Sequence, residues 1–151
     1  MKKLIIDQAP QRRGSGYPHP FDEPCRARFR RALGDAAGLT DFGVNLMRLE
    51  PGVWSSQRHW HSAEDEFVYV LEGEVVLISD SGEEVLRAGD CAGFKAGVAD
   101  GHHLQNRSAK VAVMLEIGTR RPATDHCTYP DIDLQWSKAT GYTHRDGLLY
   151  P

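Results

Sequence analysis

A chain of 151 residues is the size of one ordinary domain and can bury a core large enough to fold alone. Its 18 basic against 21 acidic side chains give a formal charge of −3, which excludes the basic stripe that neutralises nucleic-acid phosphates. Lys2 and Lys3 are followed only by Leu4, Ile5 and Ile6 before Asp7, too little for a signal-peptide apolar core, and no run approaches a membrane span. We therefore expect a cytoplasmic protein whose partners are a small-molecule substrate and a second copy of itself, with no nucleic acid and no membrane.

From Met1 to about Thr40 the chain is polar and broken by Pro10, Pro18, Pro20 and Pro24. This reads as an N-terminal arm over residues 1–41, with one short helix predicted from Arg26 to Leu33 that ends near Gly34. The arginines at 26, 28, 30 and 31 read as a solvated helix face.

From Phe42 the pattern changes to short apolar or alternating runs. Strands are predicted at Phe42 to Leu49, Trp54 to His61, Glu66 to Leu71, Val75 to Ser79, Glu83 to Arg87, Cys91 to Phe94, His102 to Asn106 and Val111 to Ile117. Pro51-Gly52, Glu72-Gly73, Asp80-Ser81-Gly82, Ala88-Gly89-Asp90 and Gly97 supply the turn residues between them. Many short strands at this spacing predict an all-β closed barrel or sandwich over residues 42–118. After Gly118 a polar tail, residues 119–151, carries Ile132, Leu134 and Trp136, enough apolar surface to pack on the barrel or on a partner subunit. Trp60 and this aromatic tail are the grounds for expecting a homodimer.

The three cysteines, Cys25, Cys91 and Cys127, are odd in number and widely spaced, which argues against a disulfide framework or a thiolate zinc cluster. The chemistry lies in the histidines. On a strand His59 and His61 point to the same face and form a chelating pair. Glu66 opens the next strand, where a hairpin would bring its carboxylate toward them, and His102 could add a third imidazole. Three imidazoles and one carboxylate suit a divalent ion, Zn, Mn, Fe, Ni or Co, with positions left for substrate. Glu64 shares the parity of Glu66 but falls in the turn, His103 faces away from His102, and Gln57 lies on the His59 face.

Two stretches carry a family resemblance. The first is G-V-W-S-S-Q-R-H-W-H-S-A-E-D-E-F-V-Y-V-L-E-G, with Gly52, His59, His61, Glu66 and Gly73; the second is G-D-C-A-G-F-K-A-G-V-A-D-G-H-H-L-Q-N, with Gly89, Gly97, His102 and Asn106. These resemble the two motifs of the cupin superfamily over roughly half the chain. The resemblance implies a single cupin barrel (double-stranded β-helix, jelly-roll) with one metal ion on His59, His61, Glu66 and His102 at its mouth. Two departures stand out: the first glycine lies one residue further from its histidine than usual, and Lys95 stands where the second motif normally has proline.

The string from Arg58 to Glu74 looks like the small cupins grouped with mannose-6-phosphate-isomerase-type and sugar-phosphate-isomerase-like proteins. A metal-dependent enzyme acting on a small hydroxy-carbonyl or sugar-phosphate-like substrate is the expectation, with Glu116 on the last strand as its base and Lys95 as a cation near the mouth. The alternatives are an iron-dependent dioxygenase and a non-catalytic, small-ligand-binding sensor cupin.

Overall fold

A computed structural model describes residues 3–150; Met1, Lys2 and Pro151, at the outer ends of the arm and tail, lie outside the described residues. The architecture is almost wholly antiparallel β. The largest sheet runs β1 (Gln11–Arg13), β2 (Phe29–Ala32), β3 (Phe42–Leu49), β10 (Ala112–Thr119), β5 (Glu66–Glu72) and β8 (Cys91–Phe94), in that spatial order. Opposite it lie β7 (Gly82–Arg87), β6 (Glu74–Ser79) and β9 (His103–Gln105). A third sheet joins β13 (Gly141–Thr143), β12 (Leu134–Ser137) and β11 (His126–Tyr129) to β4 (Trp60–His61). No helix among the described residues is long and apolar enough to cross a membrane.

Period-two alternation builds the core. Along β5, Val68 and Val70 are buried while Phe67, Tyr69 and Leu71 are exposed, and β10 matches them with Ala112 and Met114. Met47, Leu49, Val75, Leu86 and Leu104 complete one cluster. Each of these valines, leucines and methionines contributes about 1.5–3 kcal/mol when fully withdrawn from water. The β5–β6 connection needs its glycine: Gly73 has φ +74°, and a Cβ there would meet the Val111 carbonyl oxygen at 2.5 Å.

Tertiary context overrides the sequence reading in two places. The predicted helix from Arg26 to Leu33 is instead β2 over Phe29–Ala32, followed by a four-residue helix, α1 (Leu33–Ala36). Helix-forming arginines and alanines become a strand because β3 offers an edge, on which Phe29 pairs Arg48 and Ala32 pairs Asn45. Only Trp60–His61 of the predicted strand from Trp54 is regular, since Trp54 and His59 make isolated bridges to Gln105 and His102. The tail is itself a sheet, hydrogen-bonded to the barrel through β11 and β4, with Cys127 paired to His61. Cys127, Tyr129 and Leu134 form a second core, covered by Tyr17 and Phe21 of the arm.

Candidate metal centre

Three separate segments deliver four candidate donors to one point. His59 and His102 are clamped by reciprocal backbone hydrogen bonds, N–H to O at 3.1 and 2.8 Å. His61 lies on β4, and Glu66 begins β5 between Phe94 of β8 and Gly118 of β10. The Glu66 Oε2 atom is 2.8 Å from His102 Nε2, 3.5 Å from His59 Nε2 and 3.6 Å from His61 Nε2. Burial opposes ionisation of Glu66, but the hydrogen bonds from His102 and His59 and the charges of His59 and His61 outweigh it, holding the carboxyl well below its usual range.

The imidazoles are oriented from behind. His59 Nδ1 donates to the Gln57 carbonyl at 2.8 Å, and His61 Nδ1 donates to Asp125 Oδ2 at 2.6 Å, contacts that turn each Nε2 toward Glu66, where loss of its proton would give an ion a lone pair. Asp125 is 1% exposed and also accepts the Ala63 N–H at 2.8 Å. His102 stacks on Phe94, and its buried Nδ1 has no hydrogen-bond partner. No acceptor holds a proton on Nδ1, and Nε2 hydrogen-bonds to Glu66 Oε2 at 2.8 Å.

The donor set fits a divalent ion. Bonds of about 2.1 Å place neighbouring ligand atoms roughly 3.0–3.4 Å apart in octahedral or tetrahedral geometry, close to the separations found around Glu66 Oε2. His59, Glu66 and His102 group as one set of candidate ligands, and His61 joins from β4 at similar range. A second set, His59, His61 and Cys127, brings a thiol close to the same imidazoles. Burial pushes that thiol upward, away from the thiolate form that binds metal.

The centre lies where two cavities meet, one of about 200 Å³ and one of about 730 Å³, both lined by His61, Glu64 and Glu66. Lys95 lines the smaller one, with its Nζ held by Asp65 at 2.8 and 3.1 Å. Glu116 lines the larger, but Arg30 donates to its Oε1 at 2.6 Å and Asn45 to its Oε2 at 3.1 Å, so both oxygens are engaged. Trp60 lines the smaller cavity.

Gln57 is a correction. Its amide donates to the Phe21 carbonyl at 2.7 Å instead of lining the site, because residues 55–58 are not a regular strand and parity does not carry across them. His103 is buried beneath Trp54 and bound to the Ser56 carbonyl at 2.9 Å; burial pushes its pKa down. Asp125 was not visible in the sequence, since it lies 64 residues from His61 with no local signal. Glu64 sits in the turn as expected and nonetheless lines both cavities; burial pushes its carboxyl up.

A small antiparallel jelly roll with three imidazoles and one carboxylate at its mouth has the form of a cupin. Residues 45–118 match the cupin domain family. A sugar phosphate isomerase of the cupin superfamily from Silicibacter pomeroyi is 44% identical, with TM-score 0.91 over 99% of this chain and 97% of that one. The chain belongs to the cupin superfamily.

A protein from Acidithiobacillus ferrooxidans, provisionally named a sugar phosphate isomerase, is 30% identical with TM-score 0.74, covering 83% of this chain and 81% of its own. A polyketide cyclase from Streptomyces resistomycificus, 20% identical with TM-score 0.63 over 81% and 82% of the two chains, shares the fold alone. Among curated proteins, none matches the chain.

Proposed function

We propose that the protein is a metal-dependent isomerase of sugar phosphates or closely related hydroxy-carbonyl compounds. The observation that carries this is the convergence of four metal-type donors beside a cavity of about 730 Å³, within the range of small-molecule sites. The name of the 44%-identical relative supports the same substrate class. A divalent ion held there supplies positive charge to adjacent hydroxyl and carbonyl oxygens, which eases removal of the proton between them.

The chain must move that proton. Glu64 suits the role: it lines both cavities, its Oε1 accepts the Arg121 N–H at 2.6 Å, and burial raises its proton affinity toward the working pH. Glu116, the base expected from strand parity, is occupied by Arg30 and Asn45 and acts instead to hold that wall in place.

The test is a screen of sugar phosphates and hydroxy-ketones with Mn, Zn, Ni, Fe and Co, run with and without oxygen and read by product NMR. Isomerisation is expected without oxygen uptake, and Glu66→Gln should lower turnover at least 100-fold by weakening or displacing the ion. Stoichiometric oxygen consumption would replace this reading with a dioxygenase. A metal-dependent rise in melting temperature without turnover would replace it with ligand binding alone.

A further inference from the structure

We propose that the N-terminal arm forms the phosphate-binding end of the substrate site: Arg28 and Arg30, with Ser15 beside them, receive a phosphate monoester group on the molecule whose oxygens reach the metal centre. This rests on the isomerase reading and assigns the opposite end of its substrate. Strand alternation sends Arg30 and Ala32 to one face of β2, and pairing with Met47 and Asn45 of β3 turns that face inward. Arg28, Arg30 and Ser15 all line the cavity that also reaches His59, His61 and Glu66.

Three observations point to an anion. The first is Arg28, only 8% exposed, whose guanidinium donates to the Gly14 and Ser55 carbonyls and meets no carboxylate within 4.0 Å among the described residues. A desolvated cation without a counter-charge is costly, and an anionic ligand would offset it. The second is the pairing in the cavity wall: Arg12 and Arg120 share Asp35 and Arg30 meets Glu116, so two carboxylates serve three of its four guanidinium groups, while its other carboxylates, Glu64 and Glu66, lie at the metal centre. The third is unused donor capacity. Arg30 Nε and Ser15 Oγ are buried without any hydrogen-bond partner. Forked guanidinium donors and a hydroxyl suit the several acceptor oxygens of a phosphate.

Distance and sign agree. Glu116, which Arg30 grips at 2.6 Å, pairs with Val68, two residues along β5 from Glu66. Two residues of strand span about 7 Å, a length that a phosphate carried three or four carbons from the chelating oxygens can bridge. At the metal end Glu64 and Glu66 offset the charge of a bound divalent ion, whereas Arg28 at the arm has no carboxylate partner, so the uncompensated positive charge of the cavity lies toward the arm.

The experiment is calorimetric titration of the full-length protein, as purified, with inorganic phosphate, comparing wild type with Arg30→Gln and Ser15→Ala. Saturable binding is expected, weakened at least tenfold in Arg30→Gln and severalfold in Ser15→Ala, with metal content unchanged in both. Ser15→Ala alters no charge and so guards against an indirect effect of freeing Glu116. Equal phosphate affinity in all three proteins, no saturable binding, or acetate binding as tightly as phosphate would each overturn the proposal. The readout needs no turnover: residue-dependent phosphate binding without isomerisation would sink the isomerase reading alone. Isomerisation whose KM for a phosphosugar is unmoved by Arg30→Gln would sink the arm subsite alone.

Discussion

The barrel and its two flanks make different contributions to one site. Residues 42–118 provide all four candidate donors, His59, His61, Glu66 and His102, on or beside strands that the rest of the sheet holds in register. The arm and tail provide none of them, yet they supply Asp125 behind His61, the arginines of the larger cavity, and Tyr129, whose ring lies 5.8 Å from that of His59. A bare barrel would hold an ion with one imidazole unbraced and one wall of the cavity missing. The flanks are thus part of the site, and single substitutions in them can test that.

The largest effect is expected at Leu134, fully buried in the tail's own core. Leu134→Ala should cost about 2–5 kcal/mol in denaturant unfolding, comparable with Met114→Ala in the barrel core. A loss under about 1 kcal/mol would make the tail peripheral and break the comparison. Asp125→Asn comes next. It keeps an acceptor for Ala63 but removes the charge that braces His61, and should weaken metal affinity about 10- to 100-fold with an unchanged far-UV spectrum. Unaltered affinity would confine the metal centre to the barrel.

Lys95→Ala should do least. Its ion pair with Asp65 is exposed, so stability should be almost unchanged, and any kinetic effect should be a rise in KM of a few fold with kcat preserved. A collapse of kcat would move Lys95 from the rim into the chemistry.

The contrast between regions also governs what the sequence could disclose. Strands β3 and β8 are legible to the residue, Phe42–Leu49 and Cys91–Phe94, because alternation and glycine-bearing turns are local signals. The meeting of His59, His61, Glu66 and His102 at one point was legible for a related reason: two of them share a face of one short segment, and all four fall within motif-bearing stretches. What escaped was non-local. Phe29–Ala32 reads as helix from its own residues and becomes a strand only because β3 has a free edge. Asp125 has no meaning until β11 pairs with β4 and carries it behind His61. Gln57 shows the opposite failure, a sound parity rule applied to a stretch that is not a strand.

The central claim is that one divalent ion is held by His59, His61, Glu66 and His102, and elemental analysis of protein purified without added metal tests it most directly. The account predicts close to one ion per chain in the wild type, lost progressively on acidification because these ligands bind in their deprotonated forms. It predicts almost none in the His59→Ala/His61→Ala double variant, which should keep its β-sheet circular dichroism because the apolar core does not depend on the ion. Full metal occupancy in that folded double variant would contradict it.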